Sequence, residues 1–245
     1  MTQNFQILKR DSDFFECKVA RILDNKLILE EAKIEGELKK MFEEEVTLAY
    51  YYSDKPISKY FTSKYYDLRL VDEKITLSKP LNSAAYIHPN ISLYRETFPS
   101  SDLIALAQLA GHYTRFNLDS NISREKNNEL FENWIIESVE GKMASHVLVY
   151  KIETKIVGFA TIRKGLGHPH ISLLAVDPKF EGKGISFALL LAVEKILLDE
   201  GFKFFSGSAH RKNIKALAVY YRHGPEDQKI EYGYHLWRKK HINEE

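Results

Sequence analysis

The chain has 245 residues, with 35 lysines and arginines against 34 aspartates and glutamates, which gives a formal net charge of +1. Hydrophobic residues at 44% and this length predict a globular chain, built as one large domain or two smaller ones. The near-neutral charge argues against a nucleic-acid partner, since such proteins present a basic face. The single cysteine, Cys17, excludes a disulfide framework and a cysteine zinc site, and it indicates a reducing compartment.

The sequence gives no sign of a targeting segment or of membrane insertion. The N-terminus lacks the apolar core of a signal peptide. The longest apolar stretch, from Phe187 to Val193, is far shorter than the roughly 20 residues that cross a bilayer. We therefore expect a cytoplasmic protein.

The first third of the chain, residues 1–85, is irregular and rich in aromatic residues. Its predicted elements are a charged helix over 28–45 and strands over 46–52 and 66–77. The tyrosines at 50–52, 65 and 66 are expected to pack within strands. Pro80, Asn82 and Ser83 indicate a boundary, which predicts an accessory domain over 1–85 and a second domain over 86–245.

From residue 86 onward the pattern is regular. The predicted helices cover 103–110 with Ser101 and Asp102 as the cap, 123–139, 185–198, and a segment that starts at Asn213. The predicted strands cover 91–94, 147–152, 156–163, 171–176, 202–205 and 231–238. The three consecutive strands from 147 to 176 predict an antiparallel meander. The order predicts an α/β protein with a mixed, mostly antiparallel sheet flanked by helices.

The segment Gly182-Lys183-Gly184 lies between a predicted strand and the start of a helix. Glycines at such a point let backbone N–H groups turn inward, and the helix start adds partial positive charge, which together suit a pyrophosphate. The segment matches neither the P-loop nor the dinucleotide-binding glycine pattern. Taken alone, it also fits an ordinary tight turn.

Several spaced elements around this loop agree with one family. The strand 173–176, the Asp177-Pro178 break, the glycine loop, the apolar helix and the segment from Asn213 to Gly224 follow one another in order. In this order the sequence resembles the GCN5-related N-acetyltransferase (GNAT) superfamily over residues 144–235. The resemblance implies the GNAT fold and an acyl-coenzyme A co-substrate.

The resemblance also implies roles for individual residues. The loop that would hold the pyrophosphate consists of Glu181, Gly182, Lys183, Gly184, Ile185 and Ser186. The strand that would pair with the pantetheine arm through its backbone contains Leu174, Ala175 and Val176. Asn213 would contact the cofactor, and Tyr220 would be the general acid. Glu181 and Ser186 depart from the family, which usually has Gln or Arg and then Gly or Ala, and an acidic group beside a pyrophosphate is unfavourable unless it points to solvent.

Helix geometry independently favours Tyr220 over Tyr221. Asn213 and Tyr220 are seven residues apart, nearly two helical turns, and therefore share one face. Tyr221 is predicted to join an apolar face with Ile214 and Leu217. A phenol can donate a proton or a hydrogen bond to a departing thiolate.

The sequence offers a histidine as the candidate general base. His170 precedes Leu174 on the same side of the strand if side chains alternate with a period of two, so His170 is a candidate to take a proton from the amine. A solvent-exposed histidine at the strand end is the alternative. His168 and His170 have no nearby acidic or cysteine partner, so no metal is expected.

The whole chain also resembles one branch of the superfamily, the N-acyltransferases of dTDP-linked amino sugars. The segments that carry this resemblance are 11–15 and 112–119. It implies that residues 1–85 shape the sugar-nucleotide side of the cleft, with Arg115 on a phosphate and Phe14, Phe15 or Phe116 stacked on thymine or a sugar. The alternative is that Phe14 and Phe15 belong to a core and Arg115 ends a surface helix.

The sequence therefore predicts an enzyme that moves an acyl group from acyl-CoA to the 3- or 4-amine of a dTDP-amino-dideoxyhexose for surface-polysaccharide synthesis. The co-substrate would be acetyl-CoA or 3-hydroxybutanoyl-CoA, without a metal. The amine would attack directly, with backbone N–H groups of 173–175 stabilising the oxyanion and Tyr220 protonating the sulfur. Alternatives are acylation of a peptide or small amine, and a non-catalytic acyl-CoA-binding module. A homodimer is also expected, because such cores often pair.

Overall fold

The computed structural model describes residues 4–23, 31–81, 85–165 and 168–240, with the backbone alone at 31–33. The chain divides into two compact units, Met1–Lys74 with Ile230–Glu245, and Ile75–Lys229. This division differs from the boundary predicted after residue 85. It falls within a long strand, β4 (Tyr66–Pro80), and it groups most of the last strand with the N-terminal segment. Asn82 and Ser83, which indicated the boundary, lie outside the described residues.

The first unit, which we call the N-terminal unit, combines short strands and two helices. Its elements are β1 (Phe5–Ile7), α1 (Lys9–Phe15), β2 (Val19–Ile22), α2 (Glu31–Glu43), β3 (Leu48–Ser53), the first part of β4, and most of β10 (Asp227–Arg238). β2 pairs with β3 in parallel, and β1–β2 and β3–β10 are antiparallel. The sequence did not predict β1, α1 or β2.

Aromatic side chains from the strands form much of the core of this unit. Tyr50, Tyr51 and Tyr66 are 2%, 1% and 1% exposed, which confirms that these tyrosines pack within strands. The predicted charged helix is confirmed as α2, whose Ile34 and Leu38 are fully buried. The start of that prediction, Ile28 to Glu30, lies outside the described residues.

The second unit, which we call the C-terminal unit, contains the predicted regular elements. Its helices are α3 (Ser101–Ala110), α4 (Arg115–Leu118), α5 (Arg124–Val139), α6 (Ile185–Asp199) and α7 (Ile214–Arg222). Its further strands are β5 (Ile91–Leu93), β6 (His146–Ile152), β7 (Lys155–Arg163), β8 (His170–Val176) and β9 (Phe204–His210). Ser100, one residue before the predicted cap, caps α3. β9 starts two residues later than predicted and extends to His210.

The sheet of the C-terminal unit is mixed and mostly antiparallel, as predicted. Its strand order is β4-β9-β8-β7-β6-β5. The neighbours from β5 to β8 are antiparallel, which confirms the meander, and β8 pairs with β9 in parallel. β7 is the central strand of the meander, and all its residues from Ile156 to Ile162 are buried. α6 is apolar and buried on several sides, as its composition predicted.

β8 and β9 pair over a very short length, and this property positions the site. In the described chain their paired residues are His170 with Ser206 and Ile171 with Gly207. Beyond Ile171, β8 continues to Val176 along β7 alone. One edge of β8 is therefore left without a partner strand. Among the described residues, no helix is both long and apolar enough to cross a membrane.

Candidate active site

A cavity of about 710 Å³ in the C-terminal unit, which we call the main cavity, lies beside the open edge of β8. It is lined by parts of β8, of the loop that follows, of α6 and of α7, and by the turn after α3. The lining residues used below are His112, Tyr113, Leu174, Ala175, Val176, Glu181, Gly182, Ser186, Asn213, Lys215 and Tyr220. A smaller cavity of about 240 Å³ adjoins the same loop and is lined by Phe180, Gly184, Ile185, Phe187 and Arg222, among others.

The backbone of β8 offers hydrogen-bonding groups on its open edge. The N–H of Leu173 donates to Thr161 Oγ1 at 2.9 Å, and the N–H of Asp177 donates to a carbonyl of β7 at 2.8 Å. Because successive peptide groups in a strand point to opposite edges, the N–H groups of Leu174 and Val176 point away from β7. The N–H of Leu173 is thus already used, so it is not available for the oxyanion role predicted for 173–175.

The glycine loop after β8 presents unused backbone donors. Gly182 and Gly184 have φ of 75° and 78°, conformations that side chains other than glycine rarely adopt. Gly184 precedes the first residue of α6, and no side chain caps this helix start. Within the described chain, the N–H groups of residues 182–184 make no backbone hydrogen bond. A helix start with unsatisfied N–H groups favours a bound anion.

Most residues predicted to bind the cofactor line a cavity. In the main cavity these are Leu174, Ala175, Val176, Glu181, Gly182, Ser186 and Asn213. Gly184 and Ile185 line the smaller cavity. Lys183 is absent from both linings as described, and its ammonium lies 4.9 Å from the ring centre of Phe180. The pattern of glycine loop and open strand edge fits the pyrophosphate and the amide-bearing arm of a coenzyme A molecule.

α7 places Asn213 and Tyr220 on the cavity, as their spacing predicted. Asn213 is the N-cap, and its Oδ1 accepts from the N–H of Ala216 at 3.1 Å. Tyr220 is 8% exposed, and burial raises the pKa of its phenol above the ordinary value. The phenol therefore keeps its proton at physiological pH.

Tyr220 reaches its position because β9 has a glycine beneath it. A Cβ added at Gly207 would lie 2.3 Å from Cε1 and 2.6 Å from the hydroxyl oxygen of Tyr220. Such distances are far below van der Waals contact, so the ring and any larger residue cannot both be accommodated. Gly207 thus allows α7 and its phenol to approach β9 closely.

The prediction that Ile214, Leu217 and Tyr221 form one apolar face of α7 is wrong. Ile214 and Tyr221 are 68% and 48% exposed, and the hydroxyl of Tyr221 hydrogen-bonds Gln228 Oε1 at 2.7 Å. The buried residues are Leu217 and Tyr220, three positions apart. The helix packs through the stripe that contains Tyr220, and hydrophobicity alone did not distinguish Tyr220 from Tyr221.

A buried charge cluster holds the end of α7. Glu194 of α6 is fully buried, and its Oε2 lies 3.0 Å from His223 Nε2 and 3.2 Å from Lys79 Nζ. Burial lowers the pKa of His223, and the Lys79 ammonium acts in the same direction. Removing one partner from a buried charge cluster is costly. The cluster therefore fixes the C-terminal end of the helix that carries Tyr220.

Glu181, the acidic residue of the loop, is paired. Its Oε2 lies 2.5 Å from Lys215 Nζ, and both residues line the main cavity. The hydrogen bond and charge of Glu181 raise the pKa of Lys215. The electrostatic disadvantage expected of Glu181 is thus offset by a lysine that the sequence analysis did not identify.

The structure places His112 at the main cavity and His170 outside the described lining of that cavity. His170 Nδ1 lies 2.9 Å from Ser206 Oγ, and the pairing of β8 with β7 shifts near Ser172, which leaves that residue without a partner. The sequence analysis placed His170 and Leu174 on the same side of the strand because side chains alternate with a period of two. The irregularity near Ser172 interrupts that alternation. The described lining of the main cavity includes His112 and omits His170. His112 was present in the quoted 112–119 segment, but nothing in the sequence identified it as a base.

The predicted substrate contacts lie in different environments, and one of them, Phe116, lies in the core. Phe116 is 2% exposed and packs edge-to-face on Trp134 with ring centres 6.0 Å apart, so it belongs to the core and cannot stack on a nucleotide. Arg115 lies with its guanidinium carbon 4.1 Å from the ring centre of Phe116. Phe14 and Phe15 are half-buried in the N-terminal unit, edge-to-face with ring centres 4.9 Å apart, and their substrate role stays a prediction. No cluster of metal-ligating side chains occurs among the described residues.

Comparison with known proteins agrees with this geometry. Residues 105–224 match the model of the acetyltransferase (GNAT) family, so this segment is a GNAT acetyltransferase domain. The chain is 28% identical over 130 residues to the spore coat polysaccharide biosynthesis protein SpsD of Bacillus subtilis, a match that covers 52% of this chain and 44% of SpsD. The chain therefore spans less than half the length of that relative.

Solved structures share the fold. A conserved protein of unknown function from Staphylococcus epidermidis has a TM-score of 0.62 at 12% identity, with 98% of this chain and 93% of that chain covered. A GCN5-related N-acetyltransferase from Kribbella flavida has a TM-score of 0.55 at 11% identity, with 98% and 89% covered. The GNAT fold that the sequence resemblance implied is thus confirmed.

We predict that Gly207→Ala displaces the ring of Tyr220 and lowers acetyl-CoA turnover by about 100-fold, because a misplacement of about 1 Å costs that much in catalysis. The affinity for coenzyme A should change little. Free-thiol release measures turnover, and calorimetry measures binding. Gly36→Ala is the control: a Cβ there meets nothing within 4 Å, so turnover should be unchanged. Equal turnover of the two variants would contradict the close-approach argument.

Proposed function

We propose that this protein transfers an acyl group from acyl-CoA to the 3- or 4-amine of a dTDP-linked amino-dideoxyhexose, for the synthesis of a surface polysaccharide. One observation carries the acyl-transfer part: residues of the open edge of β8, residues of the glycine loop and the buried Tyr220 all line one cavity. The polysaccharide part is supported by the similarity to SpsD, a protein named for spore coat polysaccharide biosynthesis.

The residues of the cavity fit acyl-CoA. The unused N–H groups of residues 182–184 suit the pyrophosphate, and the outward peptide group of Val176 suits an amide of the pantetheine arm. Asn213 lines the cavity beside them. When bound, acyl-CoA supplies an electrophilic thioester carbonyl. Acetyl is the simplest acyl group, and 3-hydroxybutanoyl is the alternative.

The chain's own groups then serve three tasks in a direct transfer. The N–H of Leu174, which points to the open edge, stabilises the negative charge that develops on the carbonyl oxygen. Tyr220, which is protonated at physiological pH, donates its proton to the departing sulfur. His112, an imidazole on the cavity, accepts the proton from the attacking amine.

The remaining parts of the proposal concern the setting of the reaction. Arg115, in the C-terminal unit, is the proposed contact to a phosphate of the sugar nucleotide. The single cysteine is compatible with a reducing compartment, so we place the reaction in the cytoplasm. We also propose a homodimer, which light scattering coupled to size-exclusion chromatography would detect.

A substrate panel tests the proposed function. The protein is incubated with acetyl-CoA or 3-hydroxybutanoyl-CoA and a set of dTDP-amino sugars, peptide amines and polyamines, and free thiol is followed. We expect the highest kcat/KM with a 3- or 4-amino dTDP sugar. Turnover with peptide amines or polyamines alone would overturn the sugar assignment. Binding of coenzyme A without turnover on any amine would favour a non-catalytic acyl-CoA-binding module.

We predict that Tyr220→Phe lowers kcat by about 100-fold or more, because it removes a positioned general acid. The affinity for coenzyme A should stay within twofold of the wild type by calorimetry, since the ring and its packing on Gly207 are kept. Tyr221→Phe is the matched control, because the Tyr221 hydroxyl bonds Gln228. An unchanged kcat for Tyr220→Phe would remove the phenol from the mechanism.

We predict that His112→Gln lowers kcat/KM by about 100-fold near neutral pH, since glutamine cannot accept the proton. His170→Gln, which changes the candidate base from the sequence, should keep its rate. The reverse result would assign the base to His170. Circular dichroism of both variants checks that each is folded.

A further inference from the structure

The ion pair between Glu181 and Lys215 connects two parts of the cavity wall. Glu181 immediately precedes Gly182 in the loop, and Lys215 is the second residue of α7. Both side chains line the main cavity, with Nζ and Oε2 separated by 2.5 Å. From this geometry we infer that Lys215 is a phosphate-binding residue that Glu181 holds in the absence of ligand, so that Glu181 competes with the pyrophosphate for the same ammonium.

The position of Lys215 distinguishes it from the other cations near the loop. Among the described residues that line the main cavity, Lys215 is the only lysine or arginine. The Lys183 ammonium lies against the Phe180 ring, and Lys155 pairs with Asp177 at 2.8 Å. The side chain of Lys215 is 81% exposed, so it can move towards a ligand without leaving a packed environment.

The ion pair between Glu181 and Lys215 is weak enough for Lys215 to exchange Glu181 for a phosphate group. An exposed ion pair contributes little net stability, because solvent screens the charges and both side chains lose freedom. The Glu181 side chain is 42% exposed and can turn to solvent once Lys215 leaves it. A pyrophosphate held by the N–H groups of 182–184 brings charge-assisted acceptors, which make stronger hydrogen bonds with an ammonium than neutral ones do.

The two side chains therefore have opposite effects on the ligand. Lys215 adds an attractive contact to the pyrophosphate. Glu181 holds that lysine in the free protein and repels the phosphate in the complex. Removing the lysine charge should weaken binding, and removing the glutamate charge should strengthen it. Both effects should shrink at high salt, because the groups are exposed and their charges are screened.

Calorimetric titration with coenzyme A tests the proposal on the full chain. We expect Lys215→Ala to raise the Kd by about tenfold at low salt, the size of one charge-assisted hydrogen bond. Glu181→Gln should lower the Kd by about threefold. Lys212→Ala removes the same charge at an exposed position outside both described cavity linings, and its Kd should match the wild type. Thermal melting of each variant checks folding.

Two results would overturn the proposal. One is a Kd for Lys215→Ala within twofold of the wild type. The other is weaker binding by Glu181→Gln, which would give the pair a purely structural role. The proposal rests on the proposed function only in taking acyl-CoA as the ligand. The titration contains no amine, so it tests Lys215 independently of the acceptor. If the substrate panel shows no turnover but the Kd values change as expected, the assignment of the acceptor is refuted and the role of Lys215 stands. If the panel shows turnover but the Kd values do not change, only the role of Lys215 is refuted.

Discussion

The short pairing between β8 and β9 is the constraint on which the site depends. The two strands pair at His170–Ser206 and Ile171–Gly207, and past that point β8 has β7 on one side and the cavity on the other. A strand edge with unpaired peptide groups is normally a liability. Here the edge lines a cavity, where its alternating donors and acceptors can pair with a ligand that has amides of its own.

The position of α7 follows from the same arrangement. Because Gly207 has no side chain, the ring of Tyr220 packs directly against β9, and the phenol is buried while still lining the cavity. The buried contacts of Glu194 with His223 and Lys79 hold the helix end three residues further on. One helix thus carries a cap at the cavity, the phenol that we propose as the proton donor, and an anchor, so small changes in its packing would act on the proposed chemistry.

The sequence predicted those parts of the structure that depend on local pattern. The meander, the apolar helix α6, the glycine loop and the shared face of Asn213 and Tyr220 follow from periodicity, turn chemistry and family resemblance. It did not predict contacts between distant segments, such as Lys215 with Glu181 or Tyr220 with Gly207. No local property of these residues encodes their partners. His112 reached the cavity through a turn after α3 that had no distinctive pattern, and an irregularity near Ser172 interrupted the alternation on which His170 depended.

The same reasoning explains the errors in the N-terminal unit. β1 and β2 have three and four residues, too few for an alternating pattern to be recognised. The last strand contributes to a unit formed mainly by the first 74 residues, a connection that a boundary drawn along the sequence cannot represent. In the C-terminal unit, Phe116 was a candidate ligand contact because it lies in the 112–119 segment that carries the family resemblance, but its burial against Trp134 decides its role.

The positive φ angles of Gly182 and Gly184 have a consequence for how such loops diversify. In the proposed site, peptide N–H groups bind the anion, so only the two residues that set the backbone direction are tightly restricted. The intervening and flanking side chains at 181, 183 and 186 can be exchanged while the donors keep their orientation. Acidic or polar residues at these positions then adjust affinity without destroying the binding surface, and a search by residue identity alone would overlook relatives that share this backbone conformation.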